Sequence, residues 1–342
     1  MLLNEAVIPH YKCTSIPFKK LKDMVKINQK YLKEKDTWYK INGKLKYFKV
    51  RNDYRLFTEQ FFSIFGRKII GLDTINYDLA TLKVIDVDKA VTKNGLLSDN
   101  FQKPDYHYYL VSELYNNELS DLVCYSEYSL VNLLKFFKET VANEDYEKIK
   151  DFLIKLFISD AFTLEADRNH HNIGFKIQKF DNIPYSQRLR PYLIKDYPFA
   201  SHLIVKEDDF LKIKGLTPTP VYDNEKILGI DHKNVCAHKP GMIWRPIFPY
   251  KPELLFKNQT QASKISNQEY DGLDPNLAEL YYNFTKESKP LMERLAYDNE
   301  YRKVLENYLK KNNQLCLLPK TIDYVNKTLE DRRKVFQKVL KY

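Results

Sequence analysis

The sequence predicts an α+β fold in two lobes, with a strand-rich N-terminal lobe over residues 1–115 and a mainly helical C-terminal lobe over residues 116–342. Three observations predict it. Short apolar and aromatic runs separated by turn residues fill most of the first lobe, with few helical stripes among them. Apolar residues at helical spacing take over in the second lobe. Inside that lobe lies LEADRNHHNIGF, Leu164 to Phe175, where an Asp, an Arg, two His and two Asn fall in six consecutive residues between an apolar helix and an apolar strand.

Each element carries its own signal. FKKLKDMVKINQKYLKEK, Phe18 to Lys35, sets Leu21, Met24, Val25 and Leu32 on roughly one helical face with lysines around the rest. TWYKINGKLKYFKV, Thr37 to Val50, is a hairpin, because Asn42-Gly43 supplies the positive φ that a tight type I′ turn needs at both centres. On its second strand Leu45, Tyr47 and Lys49 share one face and Phe48 and Val50 the other. RLFTEQFFSIFGRK is a helix with Phe57, Phe61, Ile64 and Phe65 in one stripe. INYDLATLKVID and YHYYLVSELY, Tyr106 to Tyr115, read as strands. In the second lobe YSLVNLLKFFKET and YEKIKDFLIKLFISDAF read as helices, the latter on the spacing of Ile149, Phe152, Leu153, Leu156 and Phe157. NIGFKI and PTPVYD suit short strands. LDPNLAELYYNF opens a helix with Asp274 as N-cap and Pro275 at the first helical position, and TIDYVNKTLEDRRKVFQKVL closes the chain as an amphipathic helix.

The 342 residues are 44% hydrophobic and 14% aromatic, which marks a globular chain and excludes a disordered one. Only 9 are glycine, which argues against a glycine-built phosphate loop. The formal net charge of +10 fits a solvated surface and also a polyanionic partner, so nucleic acid is an option but not the favoured one. Cys13, Cys124, Cys236 and Cys316 are far apart and form no CxxC, which disfavours a disulfide framework or a zinc ribbon and suggests a reducing compartment. VCAH, Val235 to His238, lacks the second ligand pair of a metal site and reads as a surface loop. MLLNEAVIPHYK is no secretory signal, and no stretch reaches transmembrane length without charges. The expected location is the cytoplasm or, alternatively, secretion or delivery into a host cell without a classical signal peptide.

The chemistry concentrates in few residues. Asp167 is followed five positions later by Asn172, the spacing of a kinase catalytic loop. Phosphoryl transfer is mostly positioning and electrostatics: a carboxylate for the incoming hydroxyl, oxygen ligands for magnesium, and a lysine on the nucleotide phosphates held by a glutamate. In PTPVYDNEKILG, Asp223 follows an apolar run and precedes a polar turn, as a second magnesium ligand does. Taken singly, these residues have plain readings. Asp167-Arg168 can be a helix-end cap with a salt bridge, His170 and His171 point apart as sequence neighbours, and Lys49 and Glu59 can be solvated charges. It is the order Lys, Glu, strand, Asp, Asn, Asp that carries the joint reading.

On these residues the chain resembles the HipA-like kinases, bacterial relatives of protein kinases and, more remotely, of phosphoinositide kinases. DRNHHN matches their DRHxxN or DGHxxN loop and PVYDN, Pro220 to Asn224, their PxYD strand end. YFKV looks like the lysine strand, FTEQFFSIFG the glutamate helix and YYLVSELY the hinge strand, with NGLLSDNF between helix and hinge. The resemblance spans roughly residues 45 to 230. It implies a bilobal protein-kinase-like fold and an ATP- and Mg²⁺-dependent serine/threonine protein kinase, with autophosphorylation. It implies that Asp167 orients the hydroxyl, Lys49 meets the phosphates and Glu59 fixes Lys49. It implies that Asn172 and Asp223 hold Mg²⁺, that the backbone of Glu113, Leu114 and Tyr115 meets adenine, and that Arg168 braces the loop or the transferred phosphate. Its partners would be a protein substrate bearing Ser or Thr and an antitoxin or host protein. The sequence departs from the pattern in three places. Asn169 replaces the family's His. Fifty residues separate Asn172 from Asp223, so that 176–219 is an insertion unless Asp181 is the metal ligand. No glycine-rich loop is visible, which leaves the Asn42-Gly43 hairpin to cover the nucleotide. Rival readings keep the fold for a lipid, a small molecule or AMP transfer, or make the chain a pseudokinase or a basic nucleic-acid-binding protein without turnover.

Overall fold

The computed structural model describes residues 8–15, 36–51, 53–85, 90–111, 113, 130–165, 168, 172–179, 198–228, 275–311 and 319–341. Outside them lie the basic segment Phe18 to Lys35, Leu114, Tyr115, Asp167, Asn169, His170, His171, Asp181, VCAH and Asp274.

Strands β1 (His10–Ser15), β2 (Asp36–Ile41), β3 (Lys44–Val50), β4 (Asp78–Ile85) and β5 (Ala90–Asp99) close into a barrel in the order β1-β2-β3-β5-β4. Closure comes from β1, which pairs antiparallel with β2 and parallel with β4 and so leaves the barrel no open edge. Asn42 and Gly43, at φ 50 and 78, join β2 to β3 with Ile41 opposite Lys44, the two-residue hairpin that the dipeptide predicts. Phe48 enters the barrel with Tyr39, Ile41, Leu82 and Leu97. Its neighbour Lys49 faces the other way. Strand β5 must approach β3 closely at Gly95, where a Cβ would fall 2.0 Å from the Lys49 carbonyl oxygen.

Helix α1 (Arg55–Phe65) follows β3 and runs on into one π-helical stretch, Gly66–Ile70, which ends at Gly71 with φ 78. Asp53 starts it by accepting the Arg55 backbone N–H at 3.0 Å. Strand β6 (Tyr106–Leu110) leaves the barrel and pairs with β7 (Gly174–Gln178). The strand expected to reach Tyr115 ends at Leu110, because the Glu113 carboxylate accepts the Leu110 N–H at 2.8 Å and Val111 and Glu113 turn helical.

Helices α2 (Leu130–Thr140) and α3 (Asn143–Thr163) precede β7. Inside the expected insertion 176–219, the described residues form a 3₁₀ turn, Pro198–Leu203, and the hairpin of β8 (Ile204–Glu207) and β9 (Phe210–Ile213). This hairpin is fastened to the start of α3. Glu207 accepts the Asn143 N–H at 2.8 Å, and the Ala142 N–H reaches the Ile213 carbonyl at 2.7 Å. Strand β10 (Thr217–Pro218) then lies antiparallel to β7. Its approach requires a glycine, since a Cβ on Gly174 would meet the Thr219 hydroxyl at 2.7 Å.

Helices α4 (Pro275–Tyr297), α5 (Glu300–Lys311) and α6 (Pro319–Val339) complete the described chain. A continuous apolar core joins α1 to them. Phe61 stacks on Phe65 at 5.9 Å, Phe65 on Phe162 of α3 at 5.7 Å, and Phe162 meets Tyr301 of α5 at 5.3 Å and Phe336 of α6 at 5.5 Å. Among the described residues no helix is long and apolar enough to cross a membrane.

Candidate active site

Three pieces of backbone meet where β3 passes α1. Strand alternation turns Lys49 away from the barrel interior and toward α1. Glu59 projects from α1 on the side opposite the Phe57–Phe61–Phe65 stripe. The third piece is the segment after β10, Val221 to Glu225, which is tied to the first lobe by backbone bonds from Val221 N–H to the Asp73 carbonyl at 2.8 Å and from Ile75 N–H to the Val221 carbonyl at 3.0 Å.

The Lys49 ammonium bonds Glu59 Oε1 and lies 3.0 Å from Asp223 Oδ1 and 3.5 Å from Glu225 Oε1. Its other neighbour is the Tyr77 ring, with a centroid 5.5 Å away. The second oxygen of Glu59 accepts the Asn224 backbone N–H at 3.1 Å, so one glutamate clamps the lysine and the third segment together. Burial works against the charge on Lys49, but Asp223 and Glu59 outweigh it and hold the ammonium well above the ordinary lysine range. Burial pushes the Glu59 carboxyl up and Lys49 pulls it back. Asp223 sits at φ 60, a left-handed conformation that costs a non-glycine residue about 1–3 kcal/mol and that Asp tolerates better than most.

Arg168 is fully buried and engaged on every side. It makes a two-pronged pair with Asp160 of α3, at 2.8 and 3.0 Å, and donates to Asn224 Oδ1 at 2.5 Å and to the Tyr222 carbonyl at 3.3 Å. These contacts tie Arg168 to α3 and to the Tyr222–Asn224 segment. Burial opposes the guanidinium charge, and Asp160 more than compensates. Asn172 is buried immediately before β7. The Thr219 N–H bonds the Gly174 carbonyl at 2.9 Å, so the residues leading to Asp223 run alongside the start of the Asn172 strand. The Glu113 side chain is turned back onto Leu110. Asp167, Leu114 and Tyr115 lie outside the described residues, as does Asp181, so the described geometry bears on Asp223 but not on its rival.

Glu59, Asp223 and Glu225 each bring a carboxylate oxygen within 4.8 Å of the others, a hard-oxygen set of the kind Mg²⁺ takes. They are not equivalent. The Glu59 side chain is 0% exposed and held by Lys49, and that of Glu225 is 10% exposed and held by Arg51, whereas that of Asp223 is 37% exposed. Asp223, although it too lies 3.0 Å from the Lys49 ammonium, is therefore the most exposed carboxylate of the three, and its oxygens suit one divalent metal at that position.

Solved structures similar to the chain include the Helicobacter pylori proinflammatory kinase CtkA, 12% identical at a TM-score of 0.43 over 90% of this chain and 94% of its own. Another belongs to the Shewanella oneidensis MR-1 toxin–antitoxin complex of HipA, HipB and operator DNA, 11% identical at a TM-score of 0.45 over 100% of this chain and 74% of its own. No protein-family profile matches the chain, and no curated protein does.

Sequence reasoning passed over Arg51, Asp160, Asn224 and Glu225. Two signals pointed at two of them. Arg51 follows Lys49 by two, the strand period, and so shares its face. Asp160 is an acid inside the apolar helix run LFISDAF, and a buried acid needs a cation nearby.

Proposed function

We propose that this chain is an ATP- and Mg²⁺-dependent phosphotransferase of the HipA-like kinase type, which moves the γ-phosphoryl group of ATP to a serine or threonine hydroxyl of a protein, its own included. The observation that carries the reading is a buried lysine held between a helix glutamate and a partly open aspartate. That is the arrangement needed to orient nucleotide phosphates beside a metal. The nucleotide would lie between the lobes 1–115 and 116–342.

In this reading the Lys49 ammonium, fixed by Glu59, orients and neutralises phosphate oxygens. Asp223 and Asn172 hold Mg²⁺, which supplies neutralisation of charge on the phosphates. Asp167 accepts a hydrogen bond from the incoming hydroxyl and takes its proton late. Arg168 keeps the Asp167 loop in register with the Asp223 segment through Asp160, Asn224 and the Tyr222 carbonyl. The backbone at Glu113, Leu114 and Tyr115 meets the adenine.

The test is incubation of purified protein with γ-labelled ATP, Mg²⁺ and a cell lysate, followed by identification of the labelled species. Wild type should transfer label to protein serine or threonine. Asp167→Asn should keep ATP affinity within about tenfold, ~1.4 kcal/mol, while transfer falls about a hundredfold, as for loss of a general base. Normal transfer by Asp167→Asn would reduce DRNHHN to a structural cap. Label on lipid or a small molecule instead of protein would replace the acceptor class.

A further inference from the structure

Resting on that kinase reading, we infer that Arg51 and Glu225 form a positioning pair that keeps Lys49 free for nucleotide phosphates. Arg51 stands one residue beyond β3, and Glu225 two residues beyond Asp223. The pair therefore joins the strand that carries the lysine to the segment that carries the open aspartate.

Both side chains are buried. Arg51 Nε is 2.9 Å from Glu225 Oε1, and its NH2 group bonds the same oxygen. Its NH1 group donates to the Val50 carbonyl at 2.8 Å, which fixes the guanidinium plane against its own strand. Thr58 Oγ1 of α1 donates to the Glu225 carbonyl at 3.0 Å and fixes the backbone of the acid. Arg55 reaches the other carboxylate oxygen only at 3.7 Å, and is itself paired with Asp53 at 2.7 Å.

The decisive contact is the third one. The Glu225 oxygen that Arg51 holds is also the oxygen 3.5 Å from Lys49 Nζ. Lys49 thus has three carboxylates around it, and one of them belongs to a competitor. With Arg51 in place that competitor is matched by two converging N–H donors, a fork that a lysine cannot copy. With Arg51 gone, the nearest buried cation left to Glu225 is Lys49. The acid then draws the ammonium away from the side it shares with Glu59 and Asp223, where phosphates would approach. With Glu225 gone instead, a buried guanidinium is left beside Lys49 without its partner. Each single loss leaves an uncompensated buried charge, and the joint loss leaves none.

The test is a double-mutant cycle on Arg51→Met and Glu225→Gln, reading Mg·ATP affinity and turnover, with circular dichroism and thermal melting as folding controls and Lys49→Met alongside. Arg51→Met should bind Mg·ATP about tenfold more weakly than wild type, whereas Glu225→Gln, which removes the competitor for Lys49, should bind within a few fold of wild type. The double should recover most of that loss over Arg51→Met, a coupling within the range seen for contacting charged residues. Arg51→Lys should not restore binding. A bracing role alone would make the double at least as weak as either single, and that result overturns the inference. If the singles do not fold, the double, which buries no unpaired charge, decides alone: binding Mg·ATP within about tenfold of wild type supports the inference, and no binding overturns it. Equal binding by wild type and Lys49→Met, or no binding by wild type, overturns the kinase reading and this inference with it. Binding lost in Lys49→Met with no recovery in the double overturns the inference alone.

Discussion

On the side of α1 that meets β3, Thr58 and Glu59 reach Lys49, Asn224 and Glu225 through hydrogen bonds and ion pairs. On the opposite side, Phe57, Phe61 and Phe65 pack on Tyr308 of α5 and Phe162 of α3 with ring centroids 5.5–6.4 Å apart. The two sides are equally buried, yet they do different physical work. Burying the charged side costs desolvation that its pairing only roughly returns. The aromatic side returns free energy with each ring it removes from water. The helix is thus held from behind and can present a costly carboxylate in front.

Phe61→Ala tests the rear face and carries the largest expected effect. Phe61 is fully buried and touches rings on α1 and α5. Its loss should remove about 3–5 kcal/mol of stability, the range for emptying a large aromatic site in a core. Denaturant titration measures it, and protein still folded at low temperature should retain its Mg·ATP affinity. A large drop in affinity at full folding would mean that the rear face shapes the site as well as supporting it.

Asp223→Asn tests the front face. Asn tolerates the left-handed backbone at this position, so the fold should be kept, but the change removes a carboxylate charge 3.0 Å from the buried Lys49 ammonium, so the melting temperature should fall by several degrees. Turnover should fall at least a hundredfold, ~2.7 kcal/mol of barrier, as when a preorganised electrostatic group is removed. Normal turnover in this variant would take Asp223 out of the reaction and return Asp181 as the metal ligand to test.

What the sequence makes legible follows the same division. The Asn42-Gly43 turn, the Phe57–Phe61–Phe65 stripe and the helix that became α3 are local patterns, and local patterns can be read from spacing. Lys49, Glu59 and Asp223 could be named because each follows its own short motif, and the structure brings these three together. The α+β division is present as expected, while closure of the first sheet by a parallel β1–β4 pairing has no signal along the chain. Neither do the partners of the named residues. Arg51 and Glu225 are 174 positions apart, and Tyr308 meets Gln60 across 248. Such pairs become visible only once the backbone has folded. The end of β6 at Leu110 was hidden for a related reason: a side-chain acceptor three residues on overrides an apolar run that otherwise continues.

Tyr308→Phe should have the smallest effect, and it probes the one described link between the two faces. The Tyr308 hydroxyl donates to Gln60 Oε1 at 2.8 Å, and Gln60 Nε2 donates to the Tyr77 carbonyl at 2.8 Å. Gln60 adjoins Glu59, and the Tyr77 ring lies beside Lys49. Burial drives the Tyr308 phenol far above its usual range, so it stays a neutral donor at any ordinary pH. The Phe variant keeps the ring contacts with Phe57 and Phe61 and removes only the O–H. Gln60 Oε1 then loses a buried donor, which costs about 1–2 kcal/mol, or roughly 2–4 °C per kcal/mol for a chain somewhat shorter than this one. Turnover should not change, because Glu59 is anchored independently by the Lys49 ammonium and the Asn224 N–H. Should turnover fall severalfold while the melting temperature stays within a few degrees, the two faces do not act separately. The chain Tyr308–Gln60–Tyr77 would then be a route by which the C-terminal helices set the position of Lys49.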